Sequence, residues 1–167
     1  PTSAAGGRSF APGRVMTRAQ MVQVLYNIEG EPAVTGETPF TDLTSDWYQN
    51  AVLWAYQTGV VVGTSDTTFS PEAPVTREQI AVILMEFASK VLQIESGETP
   101  ADLSAYPDGG SVSDWARTAM ADAVALGILS GAQDSNGTLW LQPQAGATRA
   151  EVATILEGFC VVIVYAQ

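Results

Sequence analysis

Three arginines of this chain recur in one setting. Thr17-Arg18-Ala19-Gln20, Thr76-Arg77-Glu78-Gln79 and Thr148-Arg149-Ala150-Glu151 share the pattern Thr-Arg-x-Gln/Glu. A proline stands five residues before each threonine, at Pro12, Pro71 and Pro143. Two residues before each proline is a large apolar residue: Phe10, Phe69 and Leu141. A guanidinium is a planar fork that grips a carboxylate with two hydrogen bonds. The first turn of a helix adds free N–H groups that attract anions, although its dipole slightly disfavours a cation there. The chemistry this suggests is a set of anionic-ligand pockets, one per copy, at Arg18, Arg77 and Arg149. The spacing fits a second reading equally well, in which each arginine pairs with an aspartate of a neighbouring half-repeat, such as Asp46 or Asp114.

A second constellation occurs twice. Asp46-Trp47 is followed by Ala51, Ala55, Gly59 and Gly63, and Asp114-Trp115 by Ala119, Ala123, Gly127 and Gly131. A tryptophan at a helix start is a platform for a sugar ring or a core side chain, and spacing alone favours the core. Gly63 and Gly131 either bring backbone close to a ligand or make a turn. Upstream lie Phe40-x-Asp42 and Tyr106-x-Asp108. The pairs Asp42/Asp46 and Asp108/Asp114 have the composition of a glycosidase acid/base pair. Their repetition argues against that, because a hydrolase needs one cleft. Trp54, Tyr48 and Trp140 have no counterparts across the copies and read as core or local packing.

Several chemistries are excluded outright. The chain of 167 residues has no histidine, so Ser-His-Asp and Cys-His catalysis and imidazole-bound zinc are absent. Cys160, the single cysteine, has no internal disulfide partner; its apolar surroundings predict a buried, inert thiol. Asp134-Ser135-Asn136-Gly137 lacks the later glutamate of a calcium loop, and Asn-Gly predicts a tight hairpin turn. No phosphate-loop or dinucleotide fingerprint is present. No enzyme activity, cofactor or metal is expected. The net charge of −11, from 18 acidic and 7 basic residues, disfavours nucleic acid as a partner. The run Phe159 to Ala166 is far short of the roughly 20 residues of a membrane helix, so no membrane insertion is expected. The chain starts at Pro1 without a leader pattern, which reads as a processed or partial piece of a longer protein.

The elements that position these residues follow from local pattern. Each threonine is a helix N-cap, and the Gln or Glu three residues on completes a capping box. Helical stripes follow: Met21, Val24, Leu25 and Ile28; Ile80, Ile83, Leu84 and Phe87, continuing to Val91 and Leu92; Val152, Ile155, Leu156 and Phe159. Residue 78 is Glu where the other copies have Ala, which reads as a small change at an exposed helix position. The Asp-Trp segments predict helices as well, with Trp47, Ala51, Trp54 and Ala55 on one face and Trp115, Ala119, Ala123 and Leu126 on another. Gly59 and Gly127 stand where these helices end, as positive-φ caps. Val60 to Val62 and Ile128-Leu129 are too short for strands and predict an extended link. Gly36-Glu37-Thr38-Pro39 and Gly97-Glu98-Thr99-Pro100 are breaker-rich connectors. The boundaries drawn are 1–35 for the back half of a first repeat, 36–96 for a second and 97–167 for a third.

The combination resembles the S-layer homology family. The residues that carry the likeness are Phe40-x-Asp42, Trp47, Ala51, Ala55, Gly59, Gly63, Phe69-x-Pro71 and Thr76-Arg77-Glu78-Gln79, with their third-repeat counterparts. The first repeat matches from Phe10 to Gly30. The resemblance implies a mainly α fold of helix–loop–helix repeats about a pseudo-threefold axis, here with the first repeat incomplete. It implies a non-catalytic module of the bacterial cell surface that anchors an exported protein by binding a secondary cell-wall polysaccharide, often pyruvylated, in grooves between repeats. Arg18, Arg77 and Arg149 would then face the glycan's negative charge, with Asp46, Trp47, Gly63, Asp114, Trp115 and Gly131 shaping the grooves. The alternative is a structural or protein-assembly module that has lost glycan binding. The first repeat lacks its Asp-Trp half, which is expected to be disordered, cleaved off or replaced by a second chain. The third has Leu141 for an aromatic and an insertion near Asn136.

Overall fold

The computed structural model describes residues 10–95 and 99–166. Of the second connector, Gly97 and Glu98 lie outside the described residues. Five helices carry the fold: α1 (Arg18–Ile28), α2 (Asp46–Gln57), α3 (Arg77–Lys90), α4 (Arg117–Ala125) and α5 (Arg149–Ala166). A two-residue hairpin, β1 (Ala132–Gln133) against β2 (Leu139–Trp140), pairs Ala132 with Trp140.

The three capping boxes form as their sequences predict. Gln20 N donates to Thr17 Oγ1 at 3.2 Å, and Thr17 N donates back to Gln20 Oε1 at 3.1 Å. Thr76 and Gln79 repeat the exchange, as do Thr148 and Glu151. Each box fixes where α1, α3 and α5 begin, because it satisfies donors that the helix cannot.

The residue before each threonine builds the centre of the molecule. Met16 N donates to Ala147 O at 2.9 Å, Ala147 N to Val75 O at 3.0 Å, and Val75 N to Met16 O at 2.9 Å. These three bonds close a ring, one residue from each repeat, around a pseudo-threefold axis. A second ring surrounds it. Arg18 N and Ala19 N donate to Ala73 O and Pro71 O, Arg77 N and Glu78 N to Ala145 O and Pro143 O, and Arg149 N and Ala150 N to Arg14 O and Pro12 O. The start of each back helix is thus plugged by the proline turn of the next repeat.

Outside the rings, α2 packs on α1 and α4 on α3. Met21, Leu25, Tyr48, Ile80, Leu84, Phe87 and Phe159 are sealed in the core. The rings of Tyr26 and Trp54 meet at 5.7 Å, Trp54 and Phe87 at 6.1 Å, and Phe87 and Phe159 at 6.0 Å, so aromatic contacts join the three repeats. Gly59 and Gly127 end α2 and α4 with φ of 77° and 71°, as their positions predict.

Two expectations about the front helices are corrected. Trp47 does not share the buried face of Ala51, Trp54 and Ala55; it is 51% exposed, and Trp115 is 60% exposed. Trp115 also precedes its helix. It stands in a 3-10 turn, Asp114–Ala116, and α4 starts only at Arg117. The segments 60–62 and 128–129 form no strand, but they are not simply extended: Val60, Ile128 and Leu129 stand in bends, and Ile128 N and Leu129 N both donate to Ala123 O. Isolated bridges lie at the central ring: Val15 with Thr148, Thr17 with Pro74, Thr76 with Gly146. Cys160, expected to be buried, is exposed: it lies on the flank of α5 that no described helix covers.

Candidate functional site

Asp42 and Asp108 anchor the loops in which the arginines end. Asp42 accepts from Phe69 N at 2.9 Å and Ser70 N at 2.7 Å; Asp108 accepts from Leu141 N and Gln142 N at the same distances. Ser70 and Gln142 have φ of 58° and 51°, a conformation that costs a residue with a side chain. The carboxylates hold that turn, and the turn presents the carbonyls of Phe69 and Leu141 to the neighbouring repeat.

Arg18 and Arg77 fill the space beneath. Arg18 is 6% exposed; its Nε donates to Phe69 O at 2.9 Å and its Nη2 to Val62 O at 3.2 Å. Its guanidinium carbon lies 4.6 Å from the centre of the Phe69 ring. Arg77 is 5% exposed and donates from Nε to Leu141 O at 2.8 Å and from Nη2 to Ser130 O at 2.7 Å. Its Nη1 lies 3.8 Å from Glu151 Oε1. Burial pulls both guanidinium pKa values below their ordinary range; Asp42 opposes this at Arg18, and Glu151 and then Asp108 at Arg77. Neither arginine pairs with Asp46 or Asp114. Each is instead an interlock between one repeat and the backbone of the next, with Asp42 as counter-charge for Arg18, and Glu151 and Asp108 for Arg77.

The helix starts do not act as anion sites. Their leading N–H groups are consumed by the proline turns and the capping threonines described above, which removes the premise that they are free. Arg149 differs from its two counterparts. It is half-buried, its guanidinium stands 5.5 Å from the Phe10 ring centre, and its Nε is enclosed without an acceptor among the described residues.

The two glycines are structural. A Cβ on Gly63 would meet the carbonyls of Ser65 and Thr68 and come within 2.6 Å of Phe40. One on Gly131 would approach Leu139 Cβ to 2.9 Å. Asp134 likewise closes its own loop, accepting from Asn136 N, Thr138 N and the Trp140 indole, which is the predicted hairpin.

The two tryptophans lie elsewhere, on two grooves related by the pseudo-symmetry, and of their aspartates only Asp46 lines one. Asp46 and Trp47 line a cavity of about 550 Å³ with Gln23, Tyr26, Glu31 and Asn50. The Oε1 of Gln23, half-buried on α1, is enclosed without a donor. Trp115 lines the equivalent groove of about 820 Å³, whose other walls include Val82, Met85, Ile94, Leu126 and Ile163. Arg18 and Arg77 line neither cavity. Asp114 is fully exposed and sits 3.8 Å from Arg117.

Sequence reasoning missed one buried group. Glu78 is 4% exposed, not an exposed variation. Its carboxylate accepts from Ser113 N at 3.0 Å, Ser113 Oγ at 2.9 Å and Gln144 Nε2 at 3.4 Å, tying α3 to the third repeat. The polar Ser113 and Gln144 were the available signal, but nothing local brings residues 35 and 66 positions away to Glu78.

The family model of the S-layer homology domain matches residues 39–81 and 105–153. The chain belongs to the S-layer homology domain family. The S-layer homology repeats place it at the extracellular cell surface. It is 35% identical over 153 residues to an amylopullulanase of Thermoanaerobacterium thermosulfurigenes, covering 89% of this chain and 8% of that protein. It is 32% identical over 148 residues to the surface-layer 125 kDa protein of Lysinibacillus sphaericus, covering 88% and 12%. A cellulosome-anchoring protein of Acetivibrio thermocellus is 26% identical over 155 residues, covering 90% and 33%. The S-layer homology chain therefore spans a small share of each of these relatives.

Proposed function

We propose that this module anchors an exported bacterial protein to the cell wall by binding an anionic, pyruvylated secondary cell-wall polysaccharide, without catalysing any reaction on it. An enzyme, a surface-layer protein and an anchoring protein are all similar to it, so the shared stretch supports a role common to unlike proteins. The observation that carries the glycan reading is the exposed Trp47 ring on a groove where Tyr26, Ala33 and Val34 stand beside the amides of Gln23 and Asn50 and the carboxylates of Glu31 and Asp46. An indole face with hydrogen-bonding groups around it suits a sugar ring, whose faces are apolar and whose rim is hydroxyl. Asp46 and Asn50, both exposed on the groove, would take the hydroxyls. Gly63 and Gly131 support the loops from behind rather than touching sugar. Arg18 and Arg77 are buried and line neither groove, so they would act on the glycan's negative charge only at a distance.

The Trp115 groove is wider and mostly apolar, so glycan binding is assigned first to the Trp47 groove. The test is titration of purified wall polysaccharide, with and without its pyruvate groups. Trp47→Ala is expected to weaken binding by about tenfold or more, since stacking of a ring on an aromatic contributes roughly 1–3 kcal/mol. Unchanged affinity in Trp47→Ala would remove this groove from the function. Equal affinity for the depyruvylated glycan would remove the anionic part of the proposal. Failure of the wild-type chain to bind either glycan, with self-association instead, would favour an assembly module.

A further inference from the structure

The groove beside Trp115 departs from the one beside Trp47 at equivalent positions. Val82 stands for Gln23, Met85 for Tyr26 and Asp122 for Trp54. In the Trp47 half, the Trp54 ring fills the space between Tyr26 and Phe87, at 5.7 and 6.1 Å from them. Asp122 is too short to fill the matching space, so Phe159, the counterpart of Phe87, becomes a wall of the groove. The slot measures about 820 Å³ against about 550 Å³. Its chemistry changes as well. Its neutral polar side chains are the hydroxyls of Ser89, Thr118 and Tyr165, and it carries no amide. Every charged side chain on it is a carboxylate: Glu86, Glu95 and Asp122. Lys90 pairs with Glu86 at 3.2 Å. Glu95 and Asp122 have no ion pair among the described residues. The exposed Trp115 adds an indole, the best aromatic partner for a cation.

We propose that the Trp115 groove docks a partner polypeptide, a basic amphipathic helix that lays its apolar face on Val82, Met85 and Leu126 and sets a lysine or arginine against Trp115 and Asp122. Charge complementarity names this occupant first. An anionic glycan would meet three carboxylates and few donors there, whereas a cation would meet two unpaired carboxylates and an indole. Size agrees. The wall given by α4 runs from Thr118 to Leu126, about 12 Å at about 1.5 Å per residue, which matches about two turns of a helix laid in a groove. Met85 is a flexible, polarisable side chain of the kind that adapts to varied peptide faces. A second copy of this chain would bring a net charge of −11 to the same acidic walls. The inference stands independently of glycan binding at the Trp47 groove.

The probe is a synthetic amphipathic peptide of about 14 residues, with leucine on one face and lysine along its edges. Its control carries glutamate in place of every lysine. Both are titrated into the full chain by calorimetry, and the indole N–H signals of the four tryptophans are followed by NMR. The lysine peptide should bind at least about tenfold more tightly than the control and shift the Trp115 signal, not that of Trp47. Trp115→Ala should weaken it about tenfold, and Asp122→Asn about threefold. Asp66→Asn removes an exposed carboxylate outside the groove and should change nothing. Equal affinity for the two peptides would overturn the proposal. Equal losses in Asp122→Asn and Asp66→Asn would do the same, because net charge alone would then attract the peptide. Displacement of the peptide by purified wall polysaccharide would also sink it, by making the groove a second glycan site.

Discussion

Arg77→Ala separates an interlock from a ligand hook. The side chain makes two hydrogen bonds from a charged donor, 2.8 Å to Leu141 O and 2.7 Å to Ser130 O. Each such bond contributes about 1.5–3 kcal/mol, giving roughly 3–6 kcal/mol together. Part of this is offset, because the variant no longer buries a cation. The net destabilisation expected is about 3 kcal/mol, the lower end for breaking a buried charged contact. Arg149→Ala is the matched control at the same motif position. It loses only a loose contact with Phe10 and an unpaired Nε, so about 1 kcal/mol or less is expected. Urea unfolding followed by tryptophan fluorescence measures both. In thermal melts of a chain this size, 3 kcal/mol corresponds to roughly 6–12 °C. Arg77→Lys should recover little, since an ammonium cannot span both carbonyls as the fork does. Losses at Arg77 and Arg149 that agree within about 0.5 kcal/mol would refute the interlock, for that is the margin within which unrelated surface changes fall.

Three further outcomes are expected. Asp42→Ala frees Phe69 N and Ser70 N at a positive-φ turn and should cost about 2–3 kcal/mol in urea unfolding. Glu78→Ala leaves Ser113 N and Oγ without their acceptor, while Gln144 keeps its bond to Ser111 O, and should cost about 2 kcal/mol, with hydrogen exchange rising first around residues 113–117. The Trp140 indole, and then the Thr138 N–H, hold the Asp134 carboxyl below its ordinary range. A depressed carboxyl stabilises the fold above its unfolded pKa and loses that contribution as pH falls through the folded one. The indole proton signal of Trp140 should therefore be constant from neutral pH to about 5 and change only below about 4. Asp134→Asn should abolish that acid transition.

Much of the fold was legible because it is local. A capping box needs only residues three apart, and Thr17, Thr76 and Thr148 start their helices where the pattern says. Gly59, Gly127 and the Asn136-Gly137 turn are likewise fixed by what their own backbones can adopt. The repeat showed two and a half equivalent units, and the threefold arrangement followed from the resemblance to the S-layer homology family. The site was less legible. The sequence named Trp47, Trp115 and the three arginines as special, yet it could not say which faced a ligand. Spacing alone favoured a buried tryptophan and left the arginines open between an anion site and an ion pair; the structure exposes Trp47 and Trp115 and buries Arg18 and Arg77. The reason is that burial is a property of neighbours far along the chain. Arg18 is buried by Phe69 and Arg77 by Leu141, residues 51 and 64 positions away. Glu78 is buried by Ser113, and Arg149 is left open because no described helix covers α5. Local pattern determined the elements and their ends; only the closing of the three-membered ring decided which charged and aromatic side chains became the inside of the molecule and which its surface.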